Sequence, residues 1–288
     1  MISFKPISSR YQWLTGLAAL FFLLLALVDF SQRITPAAVK NFSPAAKPDP
    51  FSALTVEAAS ALVYDLNQKQ ILFAKNPDQP LPIASLTKVM TALAAVDILP
   101  PETTINFIGR AWRLPTLVDY TLVSSSNAAA AAIARTAEEV MAEPLVDRMN
   151  ALARELDLEA TRFTNATGLD LTESEPSAIS TARDIARLFA QILSRQPELL
   201  AATSLADFEP VAVDGIRYHL TNTNLAAKEI PGLIASKTGY TASGGGSVAV
   251  VFDRGLNQPI IIVVLGSTEP GRFQDLQKIW LATIQYFL

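Results

Sequence analysis

The 288-residue chain contains no cysteine and a single histidine, His219. The first absence excludes disulfides and thiolate metal sites. The second excludes a zinc centre built on several histidines, and no metal or other cofactor is expected. A serine–histidine–aspartate triad would have to use His219. That residue sits in the polar stretch IRYHLTN and reads as part of an exposed strand or loop. A serine nucleophile in this chain would therefore take a lysine or a carboxylate as its base. Neither sign of charge dominates: 23 Lys and Arg stand against 27 Asp and Glu, a net charge of −4. No basic footprint for nucleic acid is present.

Half of the residues are hydrophobic, enough to bury one large core or two small ones. Residues 13–28, WLTGLAALFFLLLALV, carry no charge, and Lys5 and Arg10 precede them. The run is long for a signal-peptide core and slightly short of the ~20 residues of a membrane span, which Trp13 and Phe30 would extend. No small-residue cleavage site follows directly; TPAA at 35–38 is a late candidate. Residues 1–30 are expected to form an uncleaved signal anchor, with a cleaved signal peptide as the alternative. Residues 31–50, rich in proline and alanine, read as a linker. Residues 51–288 show no further boundary and read as one domain.

Within that domain, residues 60–76 hold two short apolar runs around Asn67 and Gln68, a β-hairpin pattern. Helical spacing runs from Ser85 to Val96, ahead of Pro100 and Pro101. Residues 116–141 read as helix, polar break at Ser124–Asn127, then an alanine-rich helix. Further helices are expected over 143–158 and 180–196, the latter capped by Ser180 or Thr181. Residues 244–268 read as two strands with a turn near Gly255, followed by a terminal helix. First and last strands would share one antiparallel sheet, with helices over it: an α+β fold.

Three short motifs stand in order: Ser85-Leu86-Thr87-Lys88, Ser125-Ser126-Asn127, and Lys237-Thr238-Gly239 within IASKTGYTASGGGS. On a helix, residues three apart share a face, so the Ser85 hydroxyl and the Lys88 amine can meet. A serine hydroxyl becomes a nucleophile when a base takes its proton. Lysine serves as that base once burial or a nearby cation lowers its pKa, and Lys237 is a candidate for that cation. A helix start also offers free N–H groups to a developing oxyanion. Each motif has an ordinary reading as well: Ser85 as a helix N-cap, Ser125 as the start of the alanine-rich helix, Lys237 as a solvated strand-end charge. Those readings must hold at all three places at once, which the single-site reading does not require.

With these motifs, and with ASLTKVMTAL, FTNATGLD, STARDIARL, TNTNL and SKTGYT in order, the chain resembles the serine D-alanyl-D-alanine carboxypeptidases of peptidase family S11, the low-molecular-mass penicillin-binding proteins. The resemblance covers roughly residues 55–288. It implies a β-lactamase/transpeptidase-like fold, with an antiparallel sheet flanked by helices plus a helical cluster. It implies Ser85 as the acylated nucleophile, Lys88 as its base and Ser125 as a proton relay helped by Lys237. Asn127 would bind the substrate amide, and Lys237 and Thr238 its carboxylate. Gly239 and Tyr240 would complete the binding strand, with the N–H groups of Ser85 and Tyr240 as the oxyanion hole. The implied substrate is the D-Ala-D-Ala end of peptidoglycan stem peptides, with β-lactams as covalent inhibitors. The catalytic domain would lie on the extracytoplasmic (periplasmic) side of the cell membrane. A D,D-endopeptidase and a non-catalytic β-lactam or peptidoglycan sensor are the alternatives.

Three departures from the family pattern stand out. Ser85 and Ser125 are 40 residues apart, a short interval in which part of a cleft wall is expected to be missing; Ala128 follows Asn127 where an acid is common; and the second β-rich domain of many relatives is not expected after the terminal helix.

Overall fold

The computed structural model describes residues 12–33, 49–172 and 174–288. Lys5, Arg10, the TPAA stretch and nearly all of the linker lie outside the described residues. The chain divides into two compact units, Met1–Lys47 and Pro48–Leu288, which are treated separately here.

In the first unit, helix α1 spans Gln12–Arg33. Leu17, Leu20, Phe21, Phe22 and Leu23 on it are all exposed. Side chains are described only for residues 16–25 and 27 of α1. Among the described residues no helix is long and apolar enough to cross a membrane.

The second unit begins with the expected hairpin, β1 (Ser60–Asp65) and β2 (Gln70–Lys75), then a short strand β3 (Leu81–Pro82). A 3-10 turn, Ala84–Leu86, leads into α2 (Thr87–Ile98). A second hairpin, β4 (Thr104–Phe107) and β5 (Arg110–Arg113), fills the interval before α3 (Leu114–Ser124). Then come α4 (Asn127–Met141), α5 (Leu145–Glu155), β6 (Arg162–Phe163), β7 (Ala178–Ser180), α6 (Ala182–Arg195) and α7 (Glu198–Ala201). Short strands β8 (Asp207–Phe208) and β9 (Leu220–Thr221) precede three long ones: β10 (Leu233–Thr241), β11 (Gly245–Asp253) and β12 (Pro259–Ser267). Helix α8 (Gly271–Phe287) closes the chain.

The main sheet has the order β10-β11-β12-β1-β2, and every pairing in it is antiparallel. First and last strands share it, as the sequence pattern predicts. Both faces of β11 are buried, so its alternation sorts two cores rather than core from solvent. Val248, Val250 and Phe252 pack with Leu276 and Ile279 of α8, while Ala249 and Val251 join the larger core under the helices. Each such valine, leucine, isoleucine or phenylalanine removed from water contributes roughly 1.5–3 kcal/mol. Asp275 of α8 ties the domain's start to its end. Its carboxylate accepts the N–H groups of Glu57 (2.9 Å) and Ala58 (2.8 Å) and the Ser267 hydroxyl (2.8 Å).

The β11–β12 turn lies where Gly255 predicts it. The Asp253 carboxylate collects the N–H groups of Gly255 and Gln258 there. Thr181, rather than Ser180, caps α6, its hydroxyl accepting from the Asp184 N–H at 3.0 Å. Phe107, Trp112 and Tyr120, from the interval between Ser85 and Ser125, form an aromatic cluster with Tyr218 of the β8–β9 segment, packed edge to face and tilted. The Trp112 indole N–H donates to the Phe107 carbonyl at 3.1 Å, so the buried ring leaves no donor unpaired.

Candidate active site

Ser85 does not cap an α-helix. It sits in the middle of the 3-10 turn, which makes no side-chain cap bond, and α2 starts two residues later at Thr87. The separation of three residues still brings the pair together, because the turn runs straight into the first turn of α2, where Lys88 lies, and residues three apart share a face across the join. Ser85 Oγ and Lys88 Nζ are 2.7 Å apart. Lys88 is fully buried and also donates to the Thr167 carbonyl at 2.6 Å. Burial lowers its pKa to about 7, because the charged ammonium loses its hydration.

Ser125 is likewise not the start of the alanine-rich helix. Ser126 caps α4, accepting from the Ala129 N–H at 3.1 Å. Ser125 is the left-handed residue that ends α3, at φ 57°. That kink aims its hydroxyl at Lys237 Nζ, 2.8 Å away. Asn127 follows in the first turn of α4, and its side-chain oxygen is buried without a hydrogen-bond partner among the described residues.

Lys237 and Thr238 lie on β10, the edge strand of the main sheet. Lys237 is buried and also donates to the Thr238 carbonyl at 2.9 Å. Its pKa is held well below the usual lysine range by burial first, then by the charges of Lys88 and Arg272. Burial is the main cause of the shift at Lys88, and the Lys88–Lys237 repulsion disfavours a charge on both amines together.

The strand and the turn are in close contact at Gly239. A Cβ there would lie 2.8 Å from the Ile83 carbonyl and 3.1 Å from the Ser85 nitrogen, so a side chain would push the turn away. The outward N–H of Ser236 is taken by the Thr203 hydroxyl at 2.9 Å. By the two-residue period of a strand, Thr238 and Tyr240 present their N–H groups on the same outer edge. The Tyr240 ring is half exposed.

With a serine on a buried lysine, a second serine on another lysine and a free strand edge between them, the geometry is that of an acyl-transfer site. A family model, Peptidase S11, D-alanyl-D-alanine carboxypeptidase, matches residues 45–106 and 108–269. The chain belongs to this family. A D-alanyl-D-alanine endopeptidase of Pseudomonas aeruginosa is 31% identical over 286 residues, covering 91% of this chain and 89% of that protein. D-alanyl-D-alanine carboxypeptidase DacF of Bacillus subtilis is 30% identical, over 76% of this chain and 60% of the relative. Among solved structures, ampicillin-bound penicillin-binding protein D2 of Listeria monocytogenes superposes with a TM-score of 0.70 at 30% identity, covering 80% of this chain and 98% of that one. The antiparallel sheet with its helical cluster is thus the penicillin-binding protein fold.

Four S11-site features lie outside the three motifs. The Thr167 carbonyl is held toward Lys88 by Asn165, whose side-chain oxygen accepts the N–H groups of Thr167 (3.0 Å) and Gly168 (2.8 Å). Gly168 itself, at φ +76°, packs against the Ser85 turn. Arg272, nearly buried, donates to the Gly239 carbonyl at 2.9 Å. Thr223 shares a hydrogen bond with Thr238 at 2.7 Å between hydroxyl oxygens. FTNATGLD and TNTNL enclose Asn165, Thr167, Gly168 and Thr223, but no local pattern says what they touch. His219 is exposed, with only loose carboxylate neighbours, Asp207 at 3.7 Å and Glu209 at 3.8 Å, and lies apart from this chemistry.

Proposed function

We infer that the protein is a serine D,D-carboxypeptidase that removes the terminal D-alanine from peptidoglycan stem peptides. The observation that carries this reading is the 2.7 Å contact between Ser85 and a buried Lys88 whose pKa lies at about 7. At neutral pH a large share of such a lysine is the free amine, able to take the serine proton. Ser85 Oγ then attacks the penultimate D-alanine carbonyl. The N–H groups of Ser85 and Tyr240 stabilise the oxyanion. The C–N bond breaks, and the leaving amine receives its proton through Ser125, which Lys237 supports. Water hydrolyses the acyl-enzyme and regenerates the Ser85 hydroxyl, Lys88 accepting the water's proton. The unpartnered Asn127 oxygen suits a substrate amide N–H. Lys237 and Thr238 suit the terminal carboxylate, whose charge would draw a proton back onto Lys237. β-Lactams would acylate the same hydroxyl.

A second reading is a D,D-endopeptidase cutting crosslinks. It is favoured by the relatives of Pseudomonas aeruginosa and Escherichia coli, both named D-alanyl-D-alanine endopeptidase, at 31% and 29% identity. The uncharged run at 13–28 is the one observation behind a further part of this reading, an N-terminal membrane anchor with the peptidase domain on the extracytoplasmic side, where its substrate lies. Incubation with stem pentapeptide and with crosslinked dimer, read by mass spectrometry, separates the two peptidases. No D-alanine released from the pentapeptide and no dimer cut to monomers would overturn both in favour of a sensor. Equal labelling of Ser85→Ala and wild type by a fluorescent penicillin would remove Ser85 from its role.

A further inference from the structure

Thr223 links the two walls of the cleft. Its N–H donates to the carbonyl of Val123, in the last turn of α3 just before Ser125, at 3.2 Å. Its hydroxyl meets the Thr238 hydroxyl at 2.7 Å. The backbone around it is locked on both sides. Asn222 is buried and donates to the carbonyls of Thr203 and Leu205, at 2.9 and 2.8 Å. Its side-chain oxygen takes the Asn224 N–H at 2.9 Å, and the Asn224 side chain in turn takes the Ala226 N–H at 3.1 Å. Thr223 itself is only partly covered. The chain thus invests two buried asparagines in presenting one threonine hydroxyl to Thr238.

A threonine hydroxyl has one proton and two lone pairs. Thr238 can give its proton to a carboxylate or keep it on a protein neighbour. When Thr223 is the donor in the threonine pair, the Thr238 oxygen is occupied as an acceptor and its own proton is free for the ligand. A chain of hydroxyls oriented this way also polarises each bond along it. A carboxylate takes that proton in a charge-assisted hydrogen bond, whereas an amide-capped ligand offers only a neutral carbonyl oxygen and gains less from the same donor.

We propose that Thr223 is a positioning residue that fixes Thr238 as a hydrogen-bond donor and so sets the preference of this site for a leaving residue with a free carboxylate over one with a carboxamide. The proposal rests on the peptidase reading above. The experiment compares D-Ala-D-Ala-terminated peptide with the same peptide ending in D-alaninamide, for wild type, Thr223→Val and Thr223→Ser. Wild-type turnover of the free acid is the control: its absence defeats the peptidase reading and is separate from the outcome for Thr223. Expected for Thr223→Val is a several-fold rise in KM for the free acid, kcat within about twofold, and a several-fold smaller acid-to-amide ratio in kcat/KM. Thr223→Ser should restore the wild-type ratio. An unchanged ratio in Thr223→Val, or a ratio in Thr223→Ser that matches the valine variant, overturns the proposal. Should valine disturb folding, read by near-ultraviolet circular dichroism, Thr223→Ala removes the hydroxyl without adding bulk, and the same two ratios decide.

Discussion

A Cβ built on Gly168 lies 2.0 Å from the carbonyl oxygen of Ala84. The loop that aims the Thr167 carbonyl at Lys88 is therefore pressed directly against the residue before Ser85. Gly168→Ala meets both a clash with backbone and a φ of +76° that L side chains rarely adopt. The expected cost is about 2 kcal/mol or more in stability. Penicillin acylation should fall further than the unfolded fraction explains, since the displaced turn carries Ser85. Thermal melts beside acylation rates test this, and wild-type acylation in a folded variant would count against the contact.

Acylation should rise with pH through about 7. Lys88 is depressed to that value by burial, and it accepts the serine proton only as the free amine. The limb therefore climbs as Lys88 loses its proton, and it is flat well above pH 8 unless another group titrates. Lys88→Arg keeps a cation but offers no base, so the limb should vanish and the rate drop on the order of 10²–10⁴-fold. Stopped-flow acylation between pH 5.5 and 8.5 gives the profile.

Neighbouring serines should separate chemistry from stability. Ser126→Ala loses the cap of α4 and about 1 kcal/mol, with acylation intact. Ser125→Ala leaves the cap in place and removes the hydroxyl on Lys237, so turnover should drop on the order of 10²-fold or more at nearly unchanged melting temperature. The opposite pattern would exchange the two assignments.

Asp119, on α3, has its pKa raised to about 7 by burial. Its neutral form is favoured in the folded state, so it contributes no penalty below the ordinary carboxylate range. Stability is then lost as pH rises from that range through about 7, where the folded protein must ionise a covered carboxyl. Asp119→Asn should melt higher than wild type at pH 8 and show little difference at pH 4. A gain of the same size at both values would point to packing instead of titration.

The elements whose residues repeat at regular spacing were legible before any coordinates: the 60–76 hairpin, the α3–α4 break, the two strands around Gly255 and the sheet that joins both ends of the domain. The motif residues also converge as their order suggests. What local pattern does not carry is the exact phase of a turn and anything contributed by a distant backbone. Three residues separate Ser85 from Lys88 in either an α-helix or a 3-10 turn, so spacing alone leaves Ser85 looking like a cap. Ser125 and Ser126 are interchangeable as letters, and only the left-handed φ at Ser125 assigns one to the site and the other to the helix. The Thr167 carbonyl has no sequence identity at all, and the Thr223–Thr238 pair joins segments whose proximity depends on the whole fold.

The outer edge of β10 and the turn at Ser85 have one further consequence. The groups facing an oxyanion there are main-chain N–H groups, which every residue except proline provides. Substitution of the side chains at these positions leaves those donors in the chain. Those donors can be displaced only by moving the main chain, and Gly168 and Gly239, where turn, loop and strand press together without room for a methyl group, are where small changes in sequence would move it most.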